Sequence, residues 1–77
     1  MVTKKIRLST MTDIKTFVNY CTKFGADIDL IAGRYIVDAK SIMGIISLDL
    51  SHPIVMQIQT DDCDEFLADV DSFIVNE

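Results

Sequence analysis

One histidine, two cysteines and twelve Asp and Glu are the groups in this 77-residue chain that catalysis or metal binding would draw on. His52 stands alone. Cys21 and Cys63 form no CxxC pair, no histidine lies near either in the sequence, and nothing around them points to a depressed thiol pKa. A nucleophile needs a base within hydrogen-bond reach, and no such pair, metal-ligand cluster or glycine-rich phosphate loop is present. The sequence therefore predicts no enzymatic activity, no metal and no cofactor. Buried free thiols are the favoured state of the cysteines, with a disulfide between them the other state the sequence allows.

Charge narrows the partners. Seven Lys and Arg against twelve Asp and Glu leave a net charge of -5. The basic residues are scattered through Lys4, Lys5, Arg7, Lys15, Lys23, Arg34 and Lys40, whereas neutralising phosphates needs clustered positive charge, so nucleic acid is not an expected partner. Asp61, Asp62, Asp64, Glu65, Asp69 and Asp71 gather toward the C-terminus, where a basic patch on another protein could dock. The plainer account of that cluster is a solvated helix face that maintains solubility. The N-terminus carries no apolar stretch long enough for a signal or membrane helix, so no membrane association is expected and the cytoplasm is the expected compartment.

The elements that must position these groups are legible in the periodicity. Half of the residues are apolar, enough to fold, and 77 residues leave room for a single domain, 1–77, around one core. Val2, Ile6 and Leu8 share one parity, with Lys4 as the exception, which predicts a strand over residues 2–8. Ile14, Phe17, Val18, Cys21 and Phe24 recur at helical spacing. They predict a helix over 11–24, opened by the T-x-x-D capping box of Thr10 to Asp13 and stopped by Gly25. Ala26, Ile28 and Leu30 alternate with aspartates, and a turn at Ala32 and Gly33 leads to the run Arg34 to Asp38, together a hairpin. Residues 41–48 fit either a short helix capped by Ser41 or another strand. Pro53 opens a strand in which Ile54, Met56 and Ile58 alternate with Val55, Gln57 and Gln59. Asp61 and Asp62 are placed to cap a last helix whose apolar stripe is Phe66, Leu67, Val70, Phe73 and Ile74. The order β-α-β-β-α-β-α predicts an α+β sandwich with helices on one face of a mainly antiparallel four-stranded sheet.

The stretch Lys40-Ser41-Ile42-Met43-Gly44-Ile45-Ile46-Ser47-Leu48 closely resembles the regulatory-serine segment of HPr, the small protein of the bacterial phosphoenolpyruvate sugar phosphotransferase system, in its Gram-positive forms. Phe17-Val18 and the element order extend the resemblance over nearly the whole chain, and the fold it implies is the family's open-faced sandwich. Two sites follow from it. Family phosphocarriers open the first helix with a histidine, followed by an arginine two residues later and then a proline. An ungapped count from the serine motif puts Thr10, Thr12 and Asp13 at those places. A phosphoryl carrier needs an imidazole nitrogen and cationic or N–H groups to hold the charge, whereas Thr10 and Asp13 make a helix cap and the Asp13 carboxylate would repel phosphate. His52, before Pro53 with no neighbouring arginine, reads as a surface loop residue.

The resemblance gives the opposite answer at Ser41. It matches the serine that HPr kinase phosphorylates with ATP in Gram-positive relatives. Ile42, Met43 and Ile46 match the apolar patch that those relatives offer to the kinase and to a transcriptional regulator. The alternative is a plain N-cap with the apolar run packed in the core. That run is too apolar for a two-turn helix with one buried face, so part of it should be exposed or covered by a partner. Asp49 departs from the glycine that commonly follows the motif. The resemblance thus implies a histidine-less regulatory or interaction protein, similar to the catabolite-repression HPr-like proteins. A phosphocarrier of the system and a divergent paralogue with an unrelated protein partner are the other readings.

Overall fold

A computed structural model describes residues 1–75 of the chain, so Asn76 and Glu77, the last two residues of the expected domain, lie outside the described residues. The elements run β1 (Val2–Ile6), α1 (Met11–Phe24), β2 (Ile28–Ala32), β3 (Tyr35–Asp38), α2 (Ile42–Ile46), β4 (Ile54–Ile58) and α3 (Asp64–Asp69), followed by a 3₁₀ turn at Asp71–Phe73. The four strands form one antiparallel sheet in the order β1-β4-β2-β3. Ile6, Ile28, Leu30, Ile54, Met56 and Ile58 meet buried α1 residues Ile14, Phe17, Val18 and Cys21 and the α3 residue Phe66 in a single core. One face of the sheet is thus covered by helices, as the alternation of the strands requires.

Local chemistry explains the element ends. Thr10 has extended backbone and its side chain accepts the Asp13 amide, which opens α1. Gly25, at φ 82°, closes it by donating its amide to the Cys21 carbonyl, a left-handed conformation that glycine adopts without a Cβ penalty. The β2–β3 hairpin turns through Gly33 and Arg34, and Gly33, with φ 62°, supplies the positive φ that the first central position of a two-residue hairpin favours.

Three expectations are corrected in detail. The first strand ends at Ile6, and Leu8 keeps its buried place in a connecting segment. Asp61 and Asp62 do not cap α3. The cap position is Cys63, which makes no side-chain cap bond, because its buried thiol pins the chain there while Asp61 turns to the terminal ammonium of Met1 at 2.6 Å. The apolar stripe from Phe66 to Ile74 is not one helix. The α-helix stops at Asp69, the 3₁₀ turn follows, and Ile74 joins the sheet as a bridge to Ile6.

Candidate functional site

Residues 41–48, which periodicity left between helix and strand, contain α2, with Ser41 at its N-cap and Ser47 at its C-cap. The Ser41 backbone is extended (φ -99°, ψ 102°), its hydroxyl accepts the Gly44 amide at 3.1 Å and its carbonyl accepts the Ile45 amide at 3.0 Å. A small residue is needed at Gly44: a Cβ there would stand 3.1 Å from the Ser41 hydroxyl and 3.2 Å from the Val37 Cβ. At the other end the Ser47 hydroxyl donates to the Gly44 carbonyl at 2.6 Å.

The apolar residues of α2 divide between core and surface. Ile45 is fully buried and Leu48 nearly so, anchoring the helix over the core. Met43 is 77% exposed and Ile46 43% exposed, while Ile42 is half-buried against the core. The excess of apolar residues noted in the sequence therefore emerges as a small surface patch beside an exposed hydroxyl.

The mouth of α1 is built differently. Besides the Thr10 cap on the Asp13 amide, the Asp13 carboxylate accepts the amide of Ser9, just before the cap, at 3.2 Å, so a hydroxyl and a carboxylate stand at the mouth of the helix. Arg7, Ser9 and Asp13 line a shallow groove there against Phe73 and Ile74.

His52 lies nearer to this end of the molecule than its position in the chain suggests. Ile6 pairs with Ile54 and Ile31 with Val55, which brings the end of β1, the start of β4 and the β2–β3 turn to one end of the sheet. His52 there lines a groove of about 610 Å³ with Arg34, Tyr35 and Asp49. The expectation that it has no arginine nearby holds only along the chain; the hairpin turn delivers Arg34 from eighteen positions away. The carboxylate beside it is Asp49, with Nε2 4.0 Å from Oδ2, and Thr10 does not line the groove. Two hydrogen bonds from Ser51 hold Asp49 ionised below the usual carboxylate range.

Cys21 and Cys63 are free and buried. Burial pushes the Cys21 thiol up to about 12 against the opposing charge of Lys40, and it raises Cys63 as well, with the neighbouring Asp64 adding to the shift. Among the described residues no group of three or more His, Cys, Asp or Glu could hold a metal ion. No helix among them is long and apolar enough to cross a membrane.

A four-stranded antiparallel sheet with helices on one face and a serine-capped short helix between β3 and β4 defines an α+β open-faced sandwich of the HPr type. The chain matches the family model described as the PTS HPr component phosphorylation site over residues 12–75, and it belongs to the HPr family. Among solved structures it is similar to HPr-C-His from Thermoanaerobacter tengcongensis, with 30% identity, a TM-score of 0.73, and coverage of 92% of this chain and 85% of that one. It is also similar to the phosphocarrier protein HPr from Bacillus anthracis, with 28% identity, a TM-score of 0.74 and coverage of 96% of each chain. Crh, the catabolite repression containing protein of Bacillus subtilis, whose crystal structure is described as a swapped, intertwined dimer, matches with 27% identity, a TM-score of 0.67, and coverage of 92% of this chain and 88% of Crh. No curated protein matches the chain.

Proposed function

We propose that this chain is a regulatory or protein-interaction member of the HPr family, working in the cytoplasm, switched at Ser41 and without a phosphoacceptor at the mouth of α1. The observation that carries this reading is the surface of α2, where an exposed serine hydroxyl caps the helix next to exposed Met43 and Ile46. An HPr kinase-like enzyme would join the Ser41 oxygen to the γ-phosphorus of ATP, with ADP leaving and the hydroxyl proton passing to a base on the kinase. A transcriptional regulator or another phosphotransferase-system component would then read the phosphoserine together with Ile42, Met43 and Ile46. The added charge suits the place, since no acidic residue stands in the first turn of α2 and its amides face the cap.

Thr10 supports the same reading from the other side. On the ungapped count it stands where the family's phosphohistidine would be, and its hydroxyl is engaged with the Asp13 amide. The neighbouring Asp13 carboxylate opposes an anion at that mouth.

A relocated phosphocarrier is the second reading, favoured by one observation: His52 and Arg34 share a groove at the end of the sheet where α1 begins. Paired assays decide between the two. With HPr kinase and ATP, the wild type should gain one phosphate that Ser41→Ala lacks. With phosphoenolpyruvate and enzyme I it should gain none. Acid-labile phosphate in the second assay that disappears in His52→Ala would replace the first reading with the second.

A further inference from the structure

The two outer strands of the sheet are finished differently. The free side of β1 is covered by the chain's own C-terminal segment: the Arg7 amide donates to the Phe73 carbonyl at 2.8 Å, Ile74 bridges Ile6, and the Val75 amide donates to the Lys5 carbonyl at 2.9 Å. The free side of β3 has no such cover among the described residues, since β3 pairs only with β2. α2 touches β3 through Val37, which lies close to Gly44 and pairs with the buried Leu30. Tyr35 and Ile36 are 66% and 65% exposed on that strand. Of the devices that blunt an edge, Tyr-Ile-Val-Asp has no proline, bulge or lysine; it is short, at four residues, and its one charged side chain is Asp38.

The phase of the edge follows from the hairpin. The Ala39 amide donates to the Ile28 carbonyl at 2.9 Å, and bonded and non-bonded pairs alternate along an antiparallel ladder. Val37 and Tyr35, paired with Leu30 and Ala32, therefore turn their amides and carbonyls toward β2, and Ile36 turns its own outward.

We propose that β3 pairs edge to edge with β3 of a second copy of this chain, antiparallel about a two-fold axis at Ile36. In that register Ile36 meets Ile36 and exchanges both outward-facing backbone bonds, so the ladder phase and the dyad agree. Tyr35 meets Val37 on the helix side. Arg34, in the turn before the strand, comes level with Asp38, its last residue, and the same pair recurs at the other end, so the charges at the two ends are self-complementary. The open face gains as well: Val55, Ile31 and Ile36 form one row across three strands, and the dyad continues it into Ile36, Ile31 and Val55 of the second copy. A second copy satisfies backbone phase, charge and apolar continuity at once, and the interface makes no use of Thr10 or Ser41.

Sedimentation velocity of the full chain from about 1 μM to about 1 mM, with amide hydrogen exchange at both ends of that range, tests the proposal. Dimers should form as concentration rises, with protection gained at the Ile36 amide. Ile36→Lys should raise the dimer dissociation constant about tenfold or more while the circular dichroism spectrum is unchanged. Arg34→Asp should weaken the dimer, and high salt should weaken the wild type less than this charge reversal does. A monomer throughout the range would overturn the proposal. So would a dimer that persists in Ile36→Lys with no protection gained at Ile36, the result expected of an intertwined dimer formed by exchange of segments.

Discussion

Replacing Ser41 with alanine separates the structural from the regulatory work of that side chain. The structural work is one hydrogen bond, from the Gly44 amide to the Ser41 hydroxyl at 3.1 Å. The Ser41 carbonyl keeps its bond from Ile45 in the variant, and Ser47 still closes the far end of α2 on the Gly44 carbonyl. Because the cap is exposed, water can take over the released amide, which keeps the loss near the ordinary cost of an N-cap, about 1 kcal/mol. In a domain of this size that lowers the melting temperature by about 4–8 °C. Thermal unfolding followed by circular dichroism measures this, and mass spectrometry after incubation with HPr kinase and ATP measures the other role. The expected variant is folded, slightly less stable and unphosphorylated. A loss above about 2 kcal/mol would show that Ser41 supports more than its cap. Undiminished phosphate in the variant would place the modified residue elsewhere and refute the regulatory assignment.

Phe17 is fully buried and meets the Phe73 ring edge-on with centroids 6.0 Å apart, so Phe17→Ala should cost about 3–5 kcal/mol, measured as a fall in the urea midpoint. Iodoacetamide at about pH 8 should leave Cys21 of the native protein unlabelled and label it once urea unfolds the chain, since only the thiolate reacts and burial holds the thiol at about 12. The Asp61 carboxyl is held below its ordinary value by its hydrogen bond to, and the charge of, the Met1 ammonium. A group with a depressed folded pKa stabilises the fold above its unfolded value, near pH 4, and that contribution is lost as pH falls through the folded value. Asp61→Asn should remove this small acid-side slope from urea midpoints measured between about pH 6 and about pH 2.5.

Much of the fold was legible because local signals agreed with the global arrangement. The helix over 11–24 was bounded by a capping box and a glycine, both of which act within a few residues, and its limits are those observed. The hairpin around Gly33 and the strand after Pro53 were equally local. The last helix misled because an apolar stripe at helical spacing does not say whether the final turn stays helical. Ile74 leaves the helix to bridge Ile6 at the open side of β1, a partner sixty-eight positions away. Asp61 and Asp62 had the right chemistry for a cap, but the buried Cys63 set the start of the helix and the terminal ammonium engaged Asp61.

The sequence by itself determined the charge balance, the serine motif and the residues at the mouth of α1, because each depends only on residue type and short spacing. It did not decide whether residues 41–48 were helix or strand, since five to eight apolar residues satisfy either period. Only the tertiary structure sorted that run into a buried Ile45 and an exposed Met43, set His52 and Arg34 around one groove, and left β3 with an edge that no described residue covers while β1 was closed by the C-terminal segment. These outcomes depend on which strands pair and in what register, a property of long-range contacts that no window along the chain contains.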